Sequence, residues 1–265
     1  MIHCDSLSDW RKLKEEELRA PHGWLTLVGL HDVPSRFSFK DRNFLVTKED
    51  GKVLLKAEGE DVVEMELEKP LPIGVHDEIA IFIHRFGKDH VRVRDPNSHT
   101  RVHFTGMKWF EENDAWVKKG FWNATKREMD VDTDKNLSEK NEFSGFVSFE
   151  VENKQFKLWA EANEKEELFI VFKDATSKTG ETYGAGRFLY AQVQKDNSVV
   201  LDFNRAYNPA CAFSDFALCP LPGKEIGFLA FLCYFSPLRL LHLSIFFVFF
   251  KNQVHSEGQS FAISD

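Results

Sequence analysis

The chain has few cysteines and no marked excess of basic residues. Its 265 residues include four cysteines, and their spacing is irregular. This number is too small for the disulfide framework of a small secreted domain. The formal net charge of −8 argues against a general nucleic-acid-binding protein, because such proteins present a dominant basic surface. We therefore expect no nucleic acid as a partner.

The signatures of several targeting and enzyme classes are also missing. The first residues lack the basic and apolar regions of a signal peptide, so we expect a reducing, cytoplasmic location. Gly184-Ala185-Gly186-Arg187 lacks the lysine and the following helix of a phosphate-binding loop, and no G-x-S-x-G nucleophile elbow occurs. Cys211 and Cys219 form no CxxC pair, so we predict no metal site and interpret both as buried small side chains. No feature indicates a particular cofactor.

The pattern that is present is mainly that of β-strands. Residues 5–19 predict a helix, which Ser6 or Ser8 could cap and Pro21 closes. Between residues 36 and 203 roughly ten to twelve short strands follow by pattern counting. The segment 126–142 is polar and lacks an apolar period, so we predict a surface loop there. The fold prediction is mainly β, an antiparallel barrel-like or sandwich sheet with an N-terminal helix.

The composition changes abruptly after Pro222. Between Ile226 and Phe250 the only charged residue is Arg239. We therefore predict one β domain over residues 1–222 and an atypical apolar tail over 223–265. Residues 226–250 could form a tail anchor, since about twenty apolar residues span a bilayer, and only then is a membrane a partner. Alternatively the ending derives from a retained intron or a wrong gene model, because Gly223-Lys224 can be encoded as GGT-AAG, which contains a usual intron start.

Polar side chains are concentrated in a block near the end of the predicted domain. Arg187 and Arg205 could hold an anionic group through their guanidinium forks, and Asp202 is the candidate acid or base. Asn204 and Tyr183 would orient a ligand by neutral hydrogen bonds. The predicted site for a small, perhaps anionic, molecule comprises Asp174, Tyr183, Arg187, Asp202, Asn204, Arg205 and Asn208.

The same residues are compatible with a second function class. Asp, Asn and Tyr at strand ends often satisfy loop backbone, and Arg–Asp pairs often tie strands together. The alternative is therefore a non-catalytic interaction or structural domain, and the sequence leaves open whether the protein is an enzyme.

A second basic cluster lies upstream of this block. His90, Arg92 and Arg94 alternate with valines, which predicts a half-buried strand with a basic outer face. Two interpretations stay open for the arginines and tryptophans of this region. They could line a cleft for an anionic, partly aromatic ligand, or the tryptophans belong to the core and the arginines to the surface. The residues concerned are Arg85, Arg92, Arg94, Arg101, Trp109, Trp116 and Trp122.

Several stretches resemble the family of domain of unknown function 1684 (DUF1684). They are TYGAGRFL at 182–189, LDFNRAYNPACAF at 201–213, CPLP at 219–222 and GWLTLVGL at 23–30. The resemblance runs from about residue 17 to residue 222. No assigned chemistry accompanies this family, so the resemblance implies relatives and not a reaction. The family typically continues after CPLP with another proline and ends in Ala-Gly-Glu, whereas this chain has Gly223-Lys224-Glu225 and the apolar tail.

Overall fold

A single long helix opens the part of the chain that the structure describes. The structure, a computed structural model, describes residues 6–133 and 135–223 and the backbone of residues 228–229. Helix α1 (Leu7–Arg19) confirms the predicted helix, and Ser6 caps it by accepting a hydrogen bond from the backbone N–H of Asp9 at 3.0 Å. Trp10 and Leu18 form its buried face.

Eight strands follow α1 and form two antiparallel sheets. One sheet has the order β1-β8-β7-β6 and the other the order β2-β3-β4-β5. Residues of both sheets share one apolar cluster, including Phe44 and Val46 from one sheet and Val91 and Val93 from the other, so the two sheets pack as a sandwich. The strands are β1 (Leu27–Asp32), β2 (Ser35–Phe39), β3 (Arg42–Glu49), β4 (Lys52–Ala57), β5 (Val62–Met65), β6 (Pro70–Pro72), β7 (Ile79–Arg85) and β8 (Lys88–Arg94).

Six further antiparallel strands form a nearly closed barrel. Their order is β13-β12-β11-β10-β9-β14, and an isolated bridge between Val193 and Val199 joins the two ends of this row. The barrel interior is apolar, with Leu158, Leu168, Ile170 and Leu189 fully buried. The strands are β9 (Val117–Asp132), β10 (Ser138–Val151), β11 (Lys154–Ala162), β12 (Glu167–Asp174), β13 (Arg187–Gln192) and β14 (Ser198–Asp202). The predicted fold class is therefore confirmed.

Short elements connect these sheets. Helix α2 (His99–Val102) lies between the sandwich and the barrel, and helix α3 (Ala175–Thr179) follows β12. Short 3₁₀ turns occur at Trp24–Thr26, Asp114–Trp116, Phe203–Arg205 and Ala210–Ala212. A two-residue strand, β15 (Phe228–Leu229), pairs in parallel with the end of β12.

The predicted loop at 126–142 is wrong, because β9 and β10 form a long hairpin across most of it. Arg127 pairs with Phe143 and Asp130 with Lys140 in this ladder. Much of the hairpin is solvent-exposed on both faces, so no apolar alternation marks it in the sequence. Its backbone ladder and the packing of Val131 and Phe143 hold it instead.

Helix α1 packs against segments that are distant from it in sequence. Glu15 accepts hydrogen bonds from the backbone N–H of Met107 and from Trp109 Nε1, both at 3.0 Å. Arg11 donates to the carbonyl of Asn204 at 3.3 Å. These contacts hold the N-terminal helix beside the barrel.

The apolar tail lies almost wholly outside the described residues. The predictions for 226–250 and the predicted domain limits at 222 and 223 therefore stay predictions. No helix among the residues that the structure describes is long and apolar enough to cross a membrane.

Candidate functional site

Two of the predicted site residues form a buried ion pair at one end of the barrel. Asp174 ends β12 and is fully buried, and Arg187 opens the neighbouring strand β13. One Asp174 oxygen accepts from the Arg187 guanidinium, and the other accepts from Thr176 through its backbone N–H at 2.8 Å and through its hydroxyl. Arg187 also lies over the ring of Phe172, with its guanidinium carbon 5.2 Å from the centroid. This pair joins two strands and caps α3.

A second group of predicted residues binds loop backbone. Asp202 Oδ1 accepts from Asn204 through its backbone N–H at 3.1 Å and its side-chain amide at 2.9 Å, and Asp202 Oδ2 accepts from Arg205 Nε at 3.2 Å. Asn204 in turn donates to the carbonyl of Asn113 and accepts from its N–H, at 3.1 and 3.0 Å. These bonds fasten the 3₁₀ turn after β14 to a loop 91 residues away in sequence.

The predicted site is therefore divided in the structure. Tyr183 donates its hydroxyl hydrogen to the carbonyl of Cys211 at 3.0 Å. Asn208 alone among the seven predicted residues lines a cavity on the outside of the barrel. Catalysis by Asp202 stays a prediction.

This cavity has a volume of about 420 Å³ and lies on the outer surface of the barrel. Outward-facing residues of β10 to β13 form its floor, among them Phe169 and Tyr190. Its walls come from α1, from the β7–β8 hairpin and from the segment that follows β14. Trp24, Phe188 and Tyr207 add aromatic surface to a lining that also carries charged side chains of both signs.

Arg92 is the most unusual charged group of the cavity lining. Burial, followed by repulsion from Arg94 and Arg85, lowers the pKa of Arg92 to about 10. Its Nε has no hydrogen-bond partner, and no carboxylate of the described residues pairs with its guanidinium. Because an unpaired cation is costly to remove from water, a position like this one is a candidate for binding an anion.

Arg94 provides a close structural comparison on the same strand. Both guanidinium carbons lie 5.0 Å from the ring centroid of Trp24. Arg94 donates a hydrogen bond to the carbonyl of Gly23 and is more deeply buried, with 6% of its surface exposed. Arg94 thus holds a backbone group, whereas Arg92 faces the cavity.

Two tyrosines at the cavity floor are held neutral. Burial is the main cause that raises the pKa of Tyr207. The electrostatic interaction with Tyr190 and the hydrogen bond to Tyr190 raise it further. Burial also raises the pKa of Tyr190, against the effect of the hydrogen bond that it accepts from Tyr207. The rings stack with centroids 6.4 Å apart. Both hydroxyls therefore serve as neutral hydrogen-bonding groups at ordinary pH and not as bases.

The strand pattern located Arg92 but gave the wrong environment for its strand. The predicted basic outer face is wrong, because His90 and Arg94 are buried and Arg92 lines the cavity. Of the other arginines of that cluster, Arg85 lines the cavity and Arg101 donates to the carbonyls of Arg19 and Pro96. Trp24 is the tryptophan at the cavity, while Trp116 and Trp122 pack against the barrel core.

The two cysteines of the predicted domain's C-terminal part, Cys211 and Cys219, are buried. Cys211 and Cys219 are buried in an apolar cluster with Leu27 and Ala217, which confirms their interpretation as buried small side chains. Among the described residues no group of three or more His, Cys, Asp or Glu side chains is placed to hold a metal ion.

Comparison with known proteins finds a family model that matches the barrel region. The sequence model of a family described as protein of unknown function (DUF1684) matches residues 102–227. Over these residues the chain is similar to the DUF1684 family. The DUF1684 region includes the barrel and the cavity residues Tyr190, Tyr207 and Asn208, whereas Arg92, Trp24 and the resembling stretch at 23–30 lie before it.

The chain is also similar to a solved structure. It is the solution NMR structure of an uncharacterized protein of Haloarcula marismortui, with 26% sequence identity and a TM-score of 0.40. The similarity covers 49% of this chain and 74% of the archaeal one. No curated protein matches the sequence.

Proposed function

We propose that the protein binds a small organic molecule that carries an anionic group, in the cavity between α1, the β7–β8 hairpin and the barrel. The observation that carries this proposal is the half-buried guanidinium of Arg92, which has no carboxylate partner among the described residues. An anion brought by a ligand would compensate this charge through charge-assisted hydrogen bonds.

The aromatic lining supports a planar ligand. The guanidinium carbon of Arg92 lies 5.0 Å from the ring centroid of Trp24, and Tyr207 and Tyr190 provide neutral hydroxyls in the same cavity. An aromatic carboxylate is the simplest molecule that has both properties. This placement differs from the predicted site around Asp202, of which Asn208 is the member at the cavity.

For the remaining predicted residues we propose a structural role. Their polar atoms are directed to each other and to backbone groups, as in the bonds of Asp174 to Thr176 and of Asn204 to Asn113. This is the structural alternative of the sequence analysis, applied to the 174–205 block alone. In this proposal the ligand binds in the cavity and not at the 174–205 block.

A matched pair of arginine variants tests the proposal. In the ligand-free full chain, Arg92→Met should raise the free energy of unfolding by about 1–3 kcal/mol, because it removes an uncompensated buried charge. Arg94→Met removes the donor to the Gly23 carbonyl, so we expect no such gain. Urea unfolding measures both values.

The same variants are then titrated with 4-methylbenzoate in a calorimeter. Binding to the wild-type chain that is lost in Arg92→Met, while folded Arg94→Met retains it, supports the proposal. A stability loss in Arg92→Met equal to that in Arg94→Met, or binding that does not depend on Arg92, would show that Arg92 is part of the scaffold and overturn it.

A further inference from the structure

The cavity contains charges of both signs, and some of them are already paired. Lys14 Nζ lies 2.7 Å from Glu17 Oε2, and Arg85 lies 3.6 Å from a carboxylate oxygen of Glu68. These pairs compensate one another without a ligand. Arg92 is left as a cation without a carboxylate partner among the described residues.

Two carboxylates of the same cavity have no cationic partner among the described residues. Glu139 on β10 and Glu161 on β11 are both half-buried and point from the outer face of the barrel into the cavity. Glu161 accepts a hydrogen bond from the Asn141 amide at 3.3 Å, and Asn141 shares a face of β10 with Glu139. Neither carboxylate lies within ion-pair distance of Arg92.

The unpaired charges lie on different sides of the cavity, since Arg92 belongs to β8 in the wall and the two glutamates to β10 and β11 in the floor. Glu161 is close enough to Tyr190 to contribute to the raised pKa of that tyrosine, whereas the groups that act on Arg92 are Arg94, Arg85, Cys219 and Glu68. Tyr207 and Tyr190, whose rings stack, line the same cavity. Opposite charges that share a cavity without pairing leave each half-buried charge uncompensated.

We propose that the ligand of this cavity is a zwitterion, with its anionic group on Arg92 and an ammonium group between Glu139 and Glu161. A single molecule with both charges would compensate the two ends of the cavity at once, and its planar middle would lie over the tyrosine pair. This inference rests on the proposed function and adds the substrate class.

Three probes with one carbon skeleton test the inference. They are 4-(aminomethyl)benzoate, which is a zwitterion, 4-methylbenzoate, which is only an anion, and 4-methylbenzylamine, which is only a cation. Titration calorimetry on the full chain should show the zwitterion binding about tenfold or more tightly than either of the others, because it makes one further charge-assisted contact.

The matched variants are Glu139→Gln combined with Glu161→Gln, and Glu142→Gln as the control. Glu142 lies on the same strand but is exposed and pairs with Lys126 at 2.7 Å. The double variant should lose the preference for the zwitterion and keep the affinity for 4-methylbenzoate. The control should keep both, and circular dichroism checks that each variant is folded.

The outcomes separate this inference from the proposed function. Binding of 4-methylbenzoate that depends on Arg92, with no preference for the zwitterion, would support anion binding and overturn the zwitterion. A preference that survives the double variant, or that is lost in Glu142→Gln, would also overturn it. Failure of both carboxylate probes to bind the wild-type chain, or tightest binding of the amine alone, would contradict both proposals.

Discussion

At the scale of single residues, the Asp174–Arg187 pair tests most directly whether the predicted site residues stabilise the fold or bind a ligand. Both side chains are almost completely buried, so removing one leaves the other charge without compensation. Arg187→Met or Asp174→Asn should lower the free energy of unfolding by about 3–5 kcal/mol. Lys126→Met, in an exposed pair, should change it by less than about 1 kcal/mol. Urea unfolding measures the difference, and equal small effects would refute the scaffold role.

The sequence could identify these polar residues but could not assign their partners. Arg187 and Asp174 were both predicted to contact a ligand. They form an ion pair with each other instead, because the end of β12 and the start of its antiparallel neighbour β13 lie side by side. Arg92 was predicted on an outer face because alternation along a strand shows which residues share a face. Alternation does not show which face another part of the molecule covers.

At the scale of elements, the N-cap of α1 is decided by the structure, since the sequence allowed either Ser6 or Ser8. The side chain of Ser6 accepts from the N–H of Asp9, and Ser8 lies inside the first turn. Ser6→Ala should therefore cost about 1 kcal/mol, which is a melting temperature roughly 2–4 °C lower for a chain of this size. Ser8→Ala should leave the melting temperature unchanged or slightly higher, because alanine favours a helix interior. Thermal melts followed by circular dichroism would reveal the reverse order if Ser8 were the cap.

The β9–β10 hairpin, which the sequence did not predict, contains a glycine where two strands approach closely. At Gly145 the ladder shifts register, and a Cβ there would lie 2.3 Å from the carbonyl oxygen of Asn123. Gly145→Ala should therefore destabilise the protein by more than 1 kcal/mol, since backbone must move. Gly59→Ala is the control for a glycine with open space around it, although its positive φ adds a strain of its own of about 1 kcal/mol. The measurement is urea unfolding, and a smaller loss at Gly145 than at Gly59 would contradict the close approach.

At the scale of the whole molecule, acid should unfold the protein through the sandwich. Burial alone would raise the pKa of Glu78, but hydrogen bonds from Lys40 and from the N–H of His76 outweigh it and lower that pKa to about 2. The stabilisation is thus complete above the unfolded pKa near 4.5 and is lost as the pH falls towards 2. Urea unfolding from pH 7 to pH 3 should show stability falling below about pH 4.5 in the wild type. Glu78→Gln should show a shallower fall, and an unchanged slope would exclude Glu78 as the acid-sensitive group.

The mainly β class and the N-terminal helix followed from periodicity, since a strand period of two and a helical apolar face are local properties. The division into a sandwich and a barrel did not follow, because it depends on which strands pair across the chain. The cavity could not be predicted from local properties either. Arg92, Tyr207 and Glu161 come from three separate segments that only the tertiary fold brings to one place.

Helix α1 packs against a segment around Asn204 that is synthesised much later, and this order has a consequence for biosynthesis. Arg11 contacts a carbonyl 193 residues later in the sequence, so the helix leaves the ribosome about 10–40 s before its partner is translated. During that interval Trp10 lacks its contact with the ring of Tyr207, whose centroid lies 6.0 Å from its own. Helix α1 can therefore complete its packing only after the segment around Asn204 has been synthesised.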